Sequence, residues 1–204
     1  MKVVAAVAPP GVVEWRRRMG VDRHDEMWKG VLHMNPLPNR DHQELAAELW
    51  QWLHVHWARP GGNRVYFERN VARPGQWPND YRGPDLVLLT PECFPRDKNE
   101  YIEGPPDVVV EIRSPSDETY EKLTFYAQLG VPEVWVVNRD TKVPDLLVLN
   151  RDAERYDSQP PGESGWLTSN VTGIELRSTA DGKLSLRMPD DRSSYGEVPE
   201  RLSP

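Results

Sequence analysis

The sequence predicts an α/β fold, because a strand, a helix and a second strand follow one another near its middle. Residues 108–112 are nearly all β-branched and apolar, a pattern typical of a strand covered on both faces. A helical segment follows and ends near Gly130, and residues 133–138 repeat the buried-strand pattern. Two strands joined in this way are expected to be parallel, with a right-handed crossover.

A strand or hairpin and a helix are predicted upstream of this unit. Residues 26–34 alternate between apolar and polar types and bend at Gly30, as in a hairpin. Residues 41–57 form the clearest helix, and Asp41 with Glu44 makes a capping-box pattern at its start. One apolar stripe along this helix consists of Leu45, Leu49, Trp52 and Leu53.

Two further strands, residues 64–71 and 84–89, are predicted before the central unit. The connection 90–106 is long and rich in proline and charge, and long ordered loops often carry function. The helix of the central unit is predicted to begin with Ser114 as its cap and Pro115 in its first turn. Its apolar side is predicted to consist of Tyr120, Leu123 and Ala127.

The two ends of the chain are predicted to lie outside the main domain. Residues 1–20 indicate a flexible N-terminal arm, with the three arginines at 16–18 forming a solvated patch. The main domain is predicted to span residues 21–180, with another strand at 145–150. Residues 181–204 indicate a C-terminal extension that contains one strand and a frayed polar end.

Composition restricts the classes of function. With 25 basic and 32 acidic residues the net charge is −7, which argues against strong non-specific nucleic-acid binding but leaves room for a local basic groove. The single cysteine, Cys93, excludes an internal disulfide and a cysteine-based zinc site. A poor secretory signal and the lack of an apolar run of about 20 residues predict a cytoplasmic protein without a membrane helix.

Two acidic residues stand where buried strands begin or end. Glu111 lies at the carboxyl end of its strand, where ligands of open α/β sheets collect, and Asp85 lies at the start of another strand. If these strands are antiparallel, the two carboxylates are neighbours. Such a pair suits Mg²⁺, which prefers oxygen ligands and keeps positions for water and phosphate.

Lys122 follows Glu111 by 11 residues, so a helix packed on its own strand can direct this lysine to the strand end. There it could hold an attacking water or a phosphate oxygen, with Glu118 on the same helix face to orient it. Arg113 could bind phosphate. The spacing is equally compatible with a plain ion pair between Glu111 and Lys122, and we interpret His42 as an ordinary first-turn helix residue.

Several of these stretches resemble a known family. "PDLVLL" at 84–89, "PPDVVVEIRSPS" at 105–116 and "EKLTFYAQLGVPEVWVV" at 121–137 are similar to the Uma2 family of the PD-(D/E)XK, restriction-endonuclease-like superfamily. The upstream stretch "EMWKGVLHMNPLPNRDHQELAAEL" resembles the opening of that family, with Glu26 and His42 in matching places. The likeness extends over roughly residues 22–178.

The resemblance implies a restriction-endonuclease-like core: a central mixed sheet flanked by helices, with extra N- and C-terminal strands. It also implies cleavage of nucleic acid, most naturally DNA, that depends on Mg²⁺, with Mn²⁺ as a substitute. Carried over by residue, Asp85 and Glu111 hold the metal with the Ile112 carbonyl, Lys122 assists, and Tyr126 is the aromatic four residues later. Relatives usually have an apolar residue where this chain has Arg113.

Two other functions remain open at this point. The acidic net charge and Arg113 are also compatible with a nuclease fold that serves as a binding or scaffold module and has little or no catalysis. A phosphodiesterase that acts on small molecules is a third interpretation. The exposed edge of such a sheet and the abundance of tryptophan suggest a homodimer.

Overall fold

A six-stranded mixed sheet forms the centre of the molecule. The computed structural model describes residues 3–5, 10–115 and 117–200, with side chains from residue 10 onward. The strands of this central sheet are β4 (Arg64–Phe67), β7 (Leu86–Leu89), β9 (Val108–Arg113), β10 (Glu133–Asn138), β11 (Pro144–Asn150) and β12 (Arg155–Ser158). Their order is β12-β11-β10-β9-β7-β4; β9 and β10 are parallel and the other neighbours are antiparallel. The predicted parallel unit and the mixed sheet are confirmed.

A second sheet lies beside the central one. It contains β1 (Val3–Ala5), β2 (Glu26–Trp28), β3 (Val31–Met34), β5 (Val71–Ala72), β6 (Tyr81–Arg82) and β8 (Ile102–Glu103). The predicted hairpin is confirmed as β2 and β3, which pair antiparallel. Its turn residues Lys29 and Gly30 have φ angles of 50° and 82°, and two positive φ angles are typical of the tight turns that match the twist of paired strands.

The third sheet is antiparallel and contains most of the C-terminal segment. Its strands, in order, are β13 (Leu167–Thr168), β14 (Glu175–Ser178), β15 (Leu184–Met188) and β16 (Asp191–Val198). The expectation of a frayed polar end is wrong for β16, because this strand pairs with β15 and its Ser194 carbonyl accepts a 2.8 Å hydrogen bond from the indole of Trp52. Residues 201–204 of the predicted extension lie outside the described residues.

The described residues contain four α-helices, α1 (Pro10–Met19), α2 (Arg40–Leu53), α3 (Arg59–Gly61) and α4 (Thr119–Leu129), and two short 3-10 helices, Asp22–His24 and Pro91–Arg96. A π-helical segment, His54–Ala58, joins α2 to α3. None of the helices in the described ranges is long and apolar enough to cross a membrane. The predicted apolar stripe of α2 is buried, but its cap is Asn39 rather than Asp41: the Asn39 side chain accepts a hydrogen bond from the His42 amide.

Part of the predicted N-terminal arm is helical. Arg16 of α1 donates a 2.7 Å hydrogen bond through Nε to Asp25, so the interpretation of all three arginines as a solvated patch is wrong for Arg16. Residues 1, 2 and 6–9 of that arm lie outside the described residues.

Alternation along β9 separates two hydrophobic cores. Val108, Val110 and Ile112 belong to the core that contains α2 and the third sheet. Val109 belongs to the core that contains α4 and the edge of the second sheet. Successive side chains of a strand point to opposite faces. Glu111, near the end of β9, therefore points toward α4 and not into the core that contains α2.

Helix α4 starts later than its sequence predicts. It begins at Thr119, because the Asp117 carboxylate accepts hydrogen bonds from the backbone amides of Ser114 and Thr119 and so holds the preceding residues in a loop. Ser116 of the predicted helix start lies outside the described residues. The predicted apolar side is wrong for Tyr120, which is 48% exposed, whereas Ala127 is buried and Leu123 packs against the core. The buried side consists of Thr119, Lys122, Phe125, Tyr126 and Ala127.

Candidate active site

Two side chains of α4 bind the Glu111 carboxylate. Lys122 Nζ lies 3.0 Å from Glu111 Oε2, and the Tyr126 hydroxyl donates a 2.7 Å hydrogen bond to Oε1. Lys122 and Tyr126 are four residues apart, so they share one face of the helix, and α4 packs that face against β9. Glu111 is only 3% exposed. The predicted approach of Lys122 to the strand end is therefore confirmed.

A second glutamate, Glu26 of β2, also binds Lys122. Its Oε1 lies 2.8 Å from Nζ, and its other oxygen accepts a 2.7 Å hydrogen bond from the indole of Trp28. The Gly83 carbonyl, 3.3 Å away, is the third partner of the Lys122 ammonium group. Glu26 is a residue that the analysis of spacing missed. The resemblance of "EMWKG" to the opening of a known family was the signal that could have identified it.

Asp85 stands opposite Glu111 across two neighbouring strands. Leu86 of β7 pairs with Val110 of β9 in an antiparallel ladder. Asp85, which precedes Leu86, is therefore opposite Glu111, which follows Val110. Asp85 Oδ2 accepts a 2.5 Å hydrogen bond from the Ile112 amide, which holds its carboxylate at this edge. The predicted meeting of two acidic strand ends is confirmed.

His42, in the first turn of α2, contacts the same carboxylate. Its Nε2 lies 2.9 Å from Asp85 Oδ1. The interpretation of His42 as an ordinary helix residue is therefore wrong, and the reason is tertiary: the Asn39 cap places the first turn of α2 over the end of β9. Burial, together with the charge of Arg139, lowers the pKa of His42 to about 4, so the imidazole is neutral at neutral pH.

The two acids have strongly shifted proton affinities. Burial raises the pKa of Glu111 to about 7, although Lys122 and Tyr126 act in the opposite direction. Burial also raises the pKa of Asp85 well above its usual range, and the Glu111 carboxylate raises it further. For Lys122, burial lowers the pKa, but the attraction of Glu111 and Glu26 outweighs that effect and the net pKa is raised. Two carboxylates in such a state are stabilised by an additional cation.

These groups line a cavity of about 430 Å³. Asp85, Glu111 and Lys122 lie in its wall, and the loop 35–39, residues 114–115 and residues 117–118 form other parts of the lining. A cavity of this size is typical of sites that bind a small molecule or part of a larger one.

Of the other residues considered, Glu118 lines this cavity, whereas Arg113 and Asp107 do not. The Glu118 carboxylate, expected to orient Lys122, lies 2.9 Å from Nδ1 of His33. Arg113 lines a neighbouring cavity and packs its guanidinium over the ring of Tyr120, 5.1 Å from the ring centroid. Asp107, at the other end of β9, lies outside the site and accepts a hydrogen bond from the Thr90 amide.

The two acidic side chains of the site are oxygen donors. Two carboxylates, Asp85 and Glu111, supply hard oxygen ligands at one strand edge. Within residues 10–115 and 117–200, no three side chains of histidine, cysteine, aspartate or glutamate come together as a metal-binding group. A zinc site requires three or four such ligands, whereas Mg²⁺ is commonly held by one or two carboxylates plus water and substrate phosphate.

Comparison with known proteins agrees with this fold. Among curated proteins, no match to the chain is found. A crystal structure from Anabaena variabilis, described as "a putative nuclease belonging to DUF820", is similar to 68% of this chain and 78% of its own, with a TM-score of 0.53 and 17% sequence identity. That similarity shows a shared fold. The model of the Uma2 family, described as "Putative restriction endonuclease", matches residues 15–181. The chain therefore belongs to the Uma2 family.

Proposed function

We propose that this protein is a Mg²⁺-dependent endonuclease that hydrolyses phosphodiester bonds of nucleic acid. Membership of the Uma2 family, described as "Putative restriction endonuclease", and the fold shared with a protein described as "a putative nuclease" support a nuclease-like function. The observation that carries the finer proposal is the meeting of Asp85 and Glu111 at one strand edge with Lys122 beside them, all at the wall of one cavity.

Asp85 and Glu111 would hold the metal, with the Ile112 carbonyl as a further oxygen ligand. When bound, the ion would supply Lewis-acid activation of water and neutralisation of phosphate charge. The Ile112 amide and His42 orient the Asp85 carboxylate. These contacts fix the position of one ligand before the metal arrives, which reduces the cost of organising the site.

Lys122 is suited to contact the substrate phosphate. Its bonds to Glu26 and Glu111 are 2.8 and 3.0 Å long, whereas its contact with the Gly83 carbonyl is 3.3 Å. The Gly83 contact is the weakest of the three, so it is the one that a phosphate oxygen would replace. The two glutamates hold the ammonium group while the third hydrogen bond stabilises charge on the phosphate.

Asp85→Asn is expected to remove Mg²⁺ binding and cleavage together. The amide keeps the size of the side chain and an oxygen that can accept the Ile112 hydrogen bond, but it removes the charge that a hard cation requires. Binding is measured by titration calorimetry with Mg²⁺ and Mn²⁺, and cleavage with a labelled oligonucleotide. Asp107→Asn, at the opposite end of β9, is the matched control and should keep both activities. Unchanged cleavage by Asp85→Asn would refute the proposal.

Mg²⁺ affinity is expected to depend steeply on pH. Glu111, with a pKa of about 7, and Asp85, whose pKa is also raised, must lose their protons before they bind a cation, so the affinity should fall at least about tenfold per pH unit below about pH 7. The raised pKa of Glu111 also affects the stability of the metal-free protein. Between pH 4.5 and about 7 the folded state retains a proton on Glu111 that the unfolded state has lost, so the free energy of unfolding falls as the pH rises through this range. Calorimetry between about pH 5.5 and 8.5 tests the first effect; equal affinities across that range would contradict it.

A second function, a binding or scaffold module without catalysis, is favoured by one observation. Both oxygens of Glu111 are already bonded within the chain, to Lys122 and Tyr126, so the carboxylate is satisfied as it stands. In this case the Glu111–Lys122 pair would be structural. A lack of Asp85-dependent Mg²⁺ or Mn²⁺ binding in the calorimetric experiment would favour this function over the nuclease.

A further inference from the structure

A second cavity, of about 670 Å³, adjoins the candidate active site across the ends of β9 and β10. Residues that are consecutive in sequence line the two cavities. Arg113 and Asn138 line the second cavity, whereas the next residues, Ser114 and Arg139, line the first. The Arg139 amide donates a 2.9 Å hydrogen bond to the Arg113 carbonyl, so these two strand ends form one continuous wall between the cavities.

Two guanidinium groups at the second cavity are held by aromatic rings rather than by carboxylates. The guanidinium carbon of Arg113 lies 5.1 Å from the ring centroid of Tyr120, and that of Arg177 lies 4.3 Å from the ring centroid of Trp166. In the part of the chain that the structure describes, neither group forms an ion pair. Packing on a ring fixes the plane of a guanidinium and leaves its N–H groups available for an anion.

The rest of the lining is compatible with a phosphate-bearing ligand. The one acidic residue in the lining is Asp145, and its Oδ1 already accepts a 2.5 Å hydrogen bond from Ser158. Most of the other polar lining residues are neutral hydrogen-bonding groups: Asn138, Thr141, Ser158, Gln159 and Ser178. In a chain with a net charge of −7, two unpaired cations at one concave surface form a local basic site.

We propose that the second cavity binds a single nucleic-acid strand where it leaves the candidate active site. Arg113 and Arg177 contact its phosphates, and Tyr120, which is 48% exposed, offers a ring edge or face to an unpaired base. The choice of ligand rests on the proposed nuclease function. Arg113 is two residues beyond Glu111 on β9, about 7 Å along the strand, so both cavities are within reach of neighbouring nucleotides.

The volume of the cavity favours an unpaired strand over a duplex. About 670 Å³ is within the range of sites that bind small ligands, which is room for one or two nucleotides. Bases that enter such a cavity must be free of their partners, as in single-strand binding sites that combine cations with aromatic rings. The contacts do not discriminate between deoxyribose and ribose, so the shared phosphodiester chemistry defines the ligand.

Equilibrium binding of 12-nucleotide probes tests the proposal. Fluorescein-labelled oligothymidylate, oligouridylate and a hairpin duplex are titrated with the full-length protein in EDTA, and gels verify that the probes stay intact. Arg113→Gln and Arg177→Gln should each weaken binding of the single strands about tenfold and reduce the salt dependence of log K by about 0.7. The deoxyribose and ribose probes show which nucleic acid is preferred.

Arg59→Gln is the matched control, because Arg59 is exposed and lies at the far end of the α2–α3 helical run, about 25 Å from His42. Arg113→Lys with Arg177→Lys keeps both charges and should retain most of the salt dependence even if affinity falls. Effects no larger than those of Arg59→Gln, no binding of any probe by the wild type, or losses confined to the duplex would each overturn the proposal.

The outcomes also separate this inference from the proposed function. If binding of the single-stranded probes depends on Arg113 and Arg177 but the protein does not cleave with Mg²⁺, the proposal for the second cavity is supported and the nuclease function is refuted. Cleavage with binding that is indifferent to both arginines would refute the second cavity alone.

Discussion

Glu111→Gln is expected to abolish Mg²⁺-dependent cleavage, by about 10³-fold or more, and to leave the protein folded. A factor of 10³ corresponds to about 4 kcal/mol of transition-state stabilisation, which is within the range that a metal site supplies. The amide retains an oxygen that can accept the Tyr126 hydrogen bond but cannot replace an ionised ligand. The loss should therefore affect chemistry and metal affinity together.

The protein should tolerate this change because of the charges that remain. Glu26 and Lys122 form an ion pair 2.8 Å long, so removal of the Glu111 charge leaves a buried pair of opposite charges rather than an unpaired ion. Cleavage is measured on labelled oligonucleotide and folding by thermal unfolding. Glu121→Gln, the same chemical change on the exposed face of α4, is the control and should cleave normally. Wild-type rates in Glu111→Gln would show that this carboxylate takes no part in the reaction.

Lys122→Met is expected to lower the free energy of unfolding by about 3–5 kcal/mol, the cost of breaking a buried charged pair by removing one partner. The lysine is the common partner of Glu26 and Glu111, which are 1% and 3% exposed. Without it, two carboxylates remain close together in a site that water reaches poorly. Urea unfolding with unchanged slope would measure the loss of stability.

A double-mutant cycle tests the cause of that loss. Glu26→Gln combined with Lys122→Met leaves Glu111 as the one remaining carboxylate of the former Lys122 pairs, and it can take up a proton, so the double variant should be less destabilised than the sum of the two single variants. The cost of Lys122→Met should also be smaller at about pH 5.5 than at about pH 8, because protonation removes the carboxylate repulsion. Additive effects that are independent of pH would indicate that lost packing, not charge, dominates.

The strand–helix–strand unit could be predicted because its signals are local. A β-branched run, a helix bounded by Gly130 and a second apolar run specify a parallel pair, and alternation along β9 specifies the face of Glu111. The adjacency of Asp85 and Glu111 follows as soon as two strands are antiparallel. Local rules failed at the helix ends, where Asn39 and Asp117 satisfy backbone amides at positions other than the predicted caps.

The sequence by itself determined the strand–helix–strand unit, the opposed carboxylates of Asp85 and Glu111, and the approach of Lys122 to them. Each of these features depends on periodicity within a few residues or on the pairing of two neighbouring strands. Only the tertiary structure decided that Glu26 shares Lys122 with Glu111 and that His42 contacts Asp85. The second sheet brings Glu26 to the site and the Asn39 cap directs His42, and both contacts join residues far apart in the chain. Buried charges require hydrogen-bond or ion-pair partners, and here those partners come from residues distant in the chain. The spacing of residues in the sequence therefore does not predict them.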